Sequence, residues 1–283
     1  MKSRGELVNV YEKVLEDLTN GYYINRLGEE ISLINSKIKN GSTMYLGDAL
    51  REKVVSKNHF DSTKIYVQNI DSFLKAIEMG PNSLVLNMAS ARNPGGGVTK
   101  GSSAQEEDLC RRSNLLYSLY SFSPRGCLKT PSRDFSYPIP TYGGIYSPGV
   151  LIYRDKNYNK YDDVYKTNVV SVSAVVNPIY DENTLMIDKS QVHIVKNKIR
   201  SILRIAVLNG HTRLVLGAFG CGAFSNPPKH VSMLFKEVLE STEFRHAFEE
   251  VCFAILDDKN TGRKHNPEGN YKPFLDIFGN GEN

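Results

Sequence analysis

Three short apolar runs restrict the possible folds more than any other feature of this chain. SLVLNMAS (residues 83–90), RLVLGAFG (213–220) and VCFAILDD (251–258) are near-continuous in apolar residues and do not alternate with polar ones. A strand of that texture is covered on both faces, the condition of a strand inside a parallel sheet with helices on either side. Shorter strand patterns lie at KIYVQN (64–69), VLIYRD (150–155) and VVSVSAVV (169–176). Between the strands come segments with apolar residues three and four apart: DSFLKAIEMG (71–80), opened by Asp71 as N-cap and stopped by a glycine, then QEEDLCRRSNLLYSLYSF, DKSQVHIVKNKIRSILRIAVLNG and PPKHVSMLFKEVLE. Strand and helix alternate, so the expected fold is α/β, with a mixed, largely parallel central sheet flanked by helices on both faces.

At 283 residues the chain has the length of one large α/β domain with an appendage. Residues 4–18 and 22–37 both show helical spacing, separated by Gly21. The expected division is an N-terminal helical segment over 1–60, a main α/β domain over 61–260 and a polar tail over 261–283. Residues 123–149, rich in Pro, Gly, Ser and Tyr, form a long irregular loop placed to cover a site.

Ligands of open α/β sheets bind at the carboxyl ends of the strands, and two glycine-rich segments follow strands here. In the first, GGGVTKGSSAQEE (95–107), Gly95, Gly96 and Gly97 bring bare backbone N–H groups close to a polyanionic or hydroxyl-rich ligand. A flexible turn explains three glycines equally well. Glu106 and Glu107 open the next helix, with Ser103 and Glu106 in capping-box register. On position alone, acidic residues there complement the helix dipole. Adjacent helical residues do not face each other, so this is not the opposed carboxylate pair of an ordinary glycosidase. If both touch a ligand they do different work, one accepting from hydroxyls and the other donating a proton. In the second segment, GAFGCGAFSNPP (217–228), glycines precede a helix in the manner of a diphosphate cradle, matching neither GxGxxG nor the Walker pattern. Phe224 suits either a ring stacked on a sugar or a core position.

Composition narrows the chemistry. The four cysteines and six histidines are scattered, without the spacing of zinc sites, disulfide frameworks or a Ser/His/Asp arrangement. The net charge of +4 suits an anionic substrate but forms no stripe for duplex nucleic acid. No stretch approaches the roughly 20 apolar residues of a membrane helix. The opening MKSRGELVNVYEKVLEDL lacks a signal-peptide core, so the expected location is cytoplasmic, or nuclear in a eukaryote.

NMASARNPGGGVTKGSSAQEEDLCRRSNLLYSL, YGGIYSPGVLIYRD and GAFGCGAFSNPP together closely resemble the microbial type of poly(ADP-ribose) glycohydrolase, a branch of the macrodomain superfamily. The resemblance spans roughly residues 64–258 and rests on several motifs in order and at the right spacing. It implies a three-layer macrodomain-like α/β/α fold with N-terminal accessory helices, acting as a monomer without metal or cofactor. Its substrates would be poly(ADP-ribose) or ADP-ribosylated macromolecules, with ADP-ribose as product. In that family Glu107 would be the acid that protonates the departing ribose oxygen, Glu106 would hold ribose hydroxyls and Gln105 would frame the site. Gly95, Gly96 and Gly97 would wrap the distal ribose and diphosphate, and Gly220, Cys221, Gly222, Ala223 and Phe224 would cradle the diphosphate. Asn87 would contact the reactive ribose, and Asp71 would take the adenine amino group, although an N-cap is the plainer reading of that aspartate. Two other functions fit the same motifs: removal of single ADP-ribose units from protein or nucleic acid, and ADP-ribose binding without catalysis. A nucleotide-sugar or nucleic-acid binder would require a wider basic surface.

Overall fold

The computed structural model describes residues 2–123, 128, 134–258 and 261–281; of the loop expected over 123–149, residues 124–127, Cys127 among them, and 129–133 lie outside the described residues. Helix α1 (Arg4–Asn20) begins with a complete capping box between Ser3 and Glu6 and ends at Gly21, whose left-handed φ of 84° stops it. It buries Leu7, Tyr11, Val14 and Leu18, one stripe at helical spacing.

The helix expected over 22–37 is not formed. Strands β1 (Tyr22–Ile24) and β2 (Glu30–Ser32) pair antiparallel there, and only the short α2 (Ser36–Gly41) overlaps the expected span. The Asn25 carboxamide oxygen accepts the N–H groups of Leu27 and Glu29 and builds the turn, and Gly28 takes φ +81° within it. Only Tyr23 and Leu33 of the apparent apolar stripe are fully buried, while Ile24 and Leu27 are exposed, so the spacing never described a single face.

The remaining elements are β3 (Thr43–Tyr45), β4 (Lys64–Gln68), α3 (Ser72–Met79), β5 (Leu84–Met88), α4 (Gln105–Arg112), α5 (Leu116–Ser121), β6 (Gly144–Arg154), β7 (Lys160–Val172), β8 (Tyr180–Asp181), β9 (Met186–Ile187), α6 (Lys189–Leu208), β10 (Arg213–Leu216), α7 (Pro228–Leu239), β11 (Glu250–Ala254) and α8 (Tyr271–Phe278). Seven strands form one sheet in the order β3-β6-β7-β5-β10-β11-β4. From β7 to β4 every pairing is parallel, and β6 and β3 add antiparallel pairings at one edge.

Alternate strand residues serve opposite layers. Val85, Val215 and Cys252 pack with α1, α3, α4 and α5, while Leu84, Leu214 and Phe253 pack with α6, α7 and α8. The expected three-layer α/β/α arrangement and largely parallel sheet are therefore present. Strand β3 belongs to the segment read as an appendage, yet it hydrogen-bonds to β6 as the edge of the main sheet.

The polar tail expected over 261–283 is corrected as well. Within it α8 packs on α7 and β4, Phe274 is fully buried against Phe235 and Phe253, and the Val67 N–H donates to the Gly279 carbonyl. Truncating a phenylalanine so enclosed costs roughly 3–5 kcal/mol, so this helix belongs to the core.

Candidate active site

β5 and β10 lie side by side at the centre of the sheet, so the loops leaving their carboxyl ends face each other. Those loops carry the two glycine-rich motifs, and a cleft of about 760 Å³ lies among them. Its walls include Asp71 from the start of α3, Gly96 and Gly97, Gln105, Glu106 and Glu107 from α4, and Gly220, Gly222, Ala223 and Phe224. Ten of the thirteen residues expected at the site meet there. Asn87, Gly95 and Cys221 stand just behind the walls.

Helix α4 is tied to the sheet by its first residue. The Gln105 carboxamide accepts the Met88 N–H at 2.9 Å and donates to the Leu86 carbonyl at 2.7 Å, so it completes the pairing of the last residues of β5. The capping box expected between Ser103 and Glu106 is absent: Ala104 is the N-cap, without a side-chain bond. Glu106 turns instead into the preceding loop, where its two oxygens accept the N–H groups of Ser90 at 2.6 Å and Gly95 at 3.2 Å. Glu107 accepts the Gly97 N–H at 2.7 Å through Oε1. Its Oε2 is buried and has no partner among the described residues.

The triple glycine thus supplies room more than donors. A Cβ on Gly96, at φ +60°, would stand 2.4 Å from Glu107 Oε1 and 3.0 Å from Glu106 Oε2. Only a glycine lets both carboxylates lie over the same stretch of backbone. The Gly96 N–H is also taken, by the Asn93 carbonyl at 2.9 Å. All three N–H groups expected to meet a ligand are therefore held by the protein itself.

Glu106 and Glu107 are 4% and 7% exposed. Burial pushes the Glu106 pKa from its ordinary 4.5 to about 8, and the like charge of Glu107 adds to that, while the Ser90 and Gly95 N–H groups and the Asn87 carboxamide pull the other way. Asn87 lies behind Glu106, donating from Nδ2 to Ser171 Oγ at 3.0 Å.

The second loop is arranged differently. The Asn226 side chain donates to the carbonyls of Val175, Gly220 and Phe224, so the acceptors of the loop are drawn inward. His265 Nε2 lies 3.0 Å from the Cys221 carbonyl and donates to it. The N–H groups of Gly220, Gly222, Ala223 and Phe224 have no acceptor among the described residues. Four such donors beside a cleft have the chemistry to meet an anion. The following helix α7 adds less than its position promised, because Pro228 removes the donor of its first residue.

Asp71 caps α3 as expected, accepting the Leu74 N–H at 2.9 Å, and its other oxygen pairs with Arg112 at 2.7 Å. Arg112 and Arg111 were not singled out in the sequence, yet both are fully buried. Arg112 also pairs with Asp108, while Arg111 donates to the Leu7 carbonyl of α1 and to the Val98 carbonyl of the glycine loop. They stand four residues after Glu107 and Asp108, and that i,i+4 register was the available signal. Ser90 and His265 carried no comparable signal. Among the described residues, no group of three or more His, Cys, Asp or Glu side chains is placed to hold a metal ion.

A family model described as the catalytic domain of microbial-type PARG matches residues 12–155, about half of the chain. Among solved structures, poly(ADP-ribose) glycohydrolase from Thermomonospora curvata superposes with a TM-score of 0.78 at 26% identity, covering 97% of this chain and 100% of that one. The same enzyme bound to the inhibitor ADP-HPD gives a TM-score of 0.75 at 26% identity, covering 96% and 99%. Poly(ADP-ribose) glycohydrolase from Deinococcus radiodurans in complex with ADP-ribose gives 0.63 at 30% identity, covering 85% and 96%. No curated protein matches the chain.

Proposed function

From the premise that this chain belongs to the microbial-type poly(ADP-ribose) glycohydrolase family and is a glycosidase, we propose that its cleft cleaves the ribose–ribose O-glycosidic bond of poly(ADP-ribose) and releases ADP-ribose, with Glu107 as general acid and without a metal. The observation that carries this reading is the state of the four carboxylate oxygens of the glutamate pair. Three accept backbone N–H groups, and Glu107 Oε2 alone has no partner. That oxygen is the one position of the pair with nothing of the protein to bind, and it is the one left for a substrate oxygen.

The substrate sits accordingly. The free N–H groups of Gly220, Gly222, Ala223 and Phe224 bind the diphosphate, and the Phe224 ring packs against the reactive ribose. Asp71 keeps unused lone pairs for the adenine amino group beside its bonds to Leu74 and Arg112. Glu106 takes ribose hydroxyls, with Asn87 behind it and Gln105 fixing the start of α4. Gly95, Gly96 and Gly97 let the carboxylates approach the ribose. With the 1″ carbon held in place, Glu107 gives its proton to the leaving ribose oxygen as the C–O bond breaks and an oxocarbenium-like ribose forms. The substrate diphosphate stabilises that cation. Water attacks the same carbon and returns a proton to Glu107.

The test compares wild type with Glu107→Gln for release of free ADP-ribose from purified polymer and from singly ADP-ribosylated protein and DNA. Losing a general acid costs typically 10²–10⁴-fold in rate, so the variant should bind ADP-ribose and fail to turn over. Cleavage of single-unit substrates with the polymer left intact would replace this reading by a mono-ADP-ribosyl hydrolase. Binding of ADP-ribose with no cleavage of any substrate would make the protein a reader.

A further inference from the structure

The segment from Ala89 to Ala104 contains Arg92 and Lys100 and no carboxylate, although it borders the most acidic point of the cleft. Both cations are exposed, and Lys100 is on the cleft wall. One backbone turn separates Lys100 from the proposed acid: the Lys100 N–H donates to the Gly97 carbonyl at 2.9 Å, and the Gly97 N–H holds Glu107 Oε1. Gly101 then takes φ +71° and runs against the start of α1 so closely that a Cβ there would stand 2.3 Å from the Arg4 carbonyl. The backbone of Arg4, an exposed residue, is thereby held against the residue that follows Lys100. Arg92 lies in the turn whose Asn93 carbonyl accepts the Gly96 N–H. Arg4, Arg92 and Lys100 form no ion pair among the described residues. Lys2 lies beside Glu6 and is not counted with them.

A single ADP-ribose unit has no evident need of these three charges. Its diphosphate has a donor set of its own in the loop at Gly220, on the neighbouring strand. In a polymer, the unit on the other side of the scissile bond is joined through the oxygen that Glu107 protonates, so it leaves the cleft past Glu107. The first anionic group it carries on the way out is its own diphosphate. We propose that Arg4, Arg92 and Lys100 form an outer subsite for the diphosphate of the ADP-ribose unit on the leaving side of the cut bond. This rests on the glycohydrolase reading and deepens it: the lip makes a polymer a better substrate than a single unit on an uncharged acceptor.

The experiment uses the full chain with Arg4→Gln and Arg92→Gln combined, the two cations that do not line the cleft, measured for kcat/KM on long polymer across a salt series and for affinity towards free ADP-ribose by calorimetry. Polymer turnover at low salt should fall roughly tenfold, as for loss of a complementary charged rim. The slope of log kcat/KM against log salt should flatten by about 0.7 for each cation removed, the value for a single-stranded polyanion. Affinity for free ADP-ribose should stay at the wild-type value, which also shows that the variant is folded. The proposal is overturned if polymer turnover and its salt slope are unchanged, or if ADP-ribose affinity falls by the same factor as turnover. A wild type that leaves polymer intact sinks the glycohydrolase reading and this one together; a wild type that cuts polymer no better than the variant sinks this one alone.

Discussion

The two glycine loops leave adjacent parallel strands and read alike in the sequence, yet they handle their backbone donors in opposite ways. Around Gly95, Gly96 and Gly97 every N–H is bonded to the protein, two of them to carboxylates that enter from α4. In the second loop the N–H groups of Gly220, Gly222, Ala223 and Phe224 have no acceptor among the described residues, while Asn226 draws the carbonyls of Gly220 and Phe224 inward. One loop uses glycine to seat two acids, and the other leaves backbone donors without a partner from the protein. Glycine content therefore marks where backbone approaches something closely, and the neighbouring side chains determine what it approaches.

The sharpest way to break this contrast is Gly96→Ala. The added methyl meets both glutamates, and the residue must also hold φ +60°, a conformation that costs a β-carbon-bearing residue about 1–3 kcal/mol. The carboxylates would be displaced while the second loop stays intact. Turnover should fall roughly a thousandfold, the scale of losing general acid catalysis, while ADP-ribose still binds. Turnover within tenfold of wild type in a steady-state assay would mean that the seat of the acids is not what this glycine provides.

The next effect is in stability. The loop that seats carboxylates should make stability fall as pH rises, and the loop without them should not. Glu106 binds its proton more tightly in the folded state, so between pH 4.5 and about 8 the native chain holds more protons than the unfolded one. Stability from this group is complete below 4.5 and is lost as pH rises through 8, by an amount on the order of a few kcal/mol. His211, His230 and His265 are pushed below their ordinary value by burial and act in the opposite direction under pH 6.5, and Lys198, pushed down to about 8, acts above that. The readout is therefore the difference between wild type and Glu106→Gln, in thermal melts across that window. Wild type should lose stability with rising pH faster than the variant. Parallel curves would remove the raised Glu106 from the account.

What the sequence revealed, and what it hid, follows the same division between local and distant causes. Apolar runs identified the central strands because burial on both faces leaves its mark on every residue of the run, as in Leu84, Val85 and Leu86. Asp71 was legible as an N-cap because its partner, Leu74, is three residues away. The bonds from Gly95 and Gly97 to the glutamates were hidden, since a loop and the helix ten residues on carry no sign of which donors they share. The hairpin at Tyr22–Ser32 was mistaken for a helix because Tyr23, Ile31 and Leu33 face into the protein through tertiary contacts, which helical counting does not register. The tail hid α8 for the opposite reason: Phe274 and Phe278 show helical spacing, but they stand among polar residues and the aromatic core that receives them lies on α7 and β11.

The mildest and most discriminating substitution is Gly222→Ala. No atom lies within 4 Å of the Cβ position, and the residue has no positive φ, so the fold has no need of a glycine there. Replacing a glycine in a conformation open to alanine restricts the unfolded chain and stabilises by about 0.4–1 kcal/mol, so the melting temperature should hold or rise slightly. The methyl group would nonetheless project from a residue that lines the cleft beside the free donors. If a diphosphate rests on them, ADP-ribose affinity should fall about tenfold, which is 1.4 kcal/mol. A gain in stability with a loss of affinity would mean that this glycine is kept for a ligand, in contrast to Gly96, which is kept for the protein's own carboxylates. A gain in stability with affinity unchanged would move the diphosphate away from this loop and leave its free N–H groups without an assigned anion.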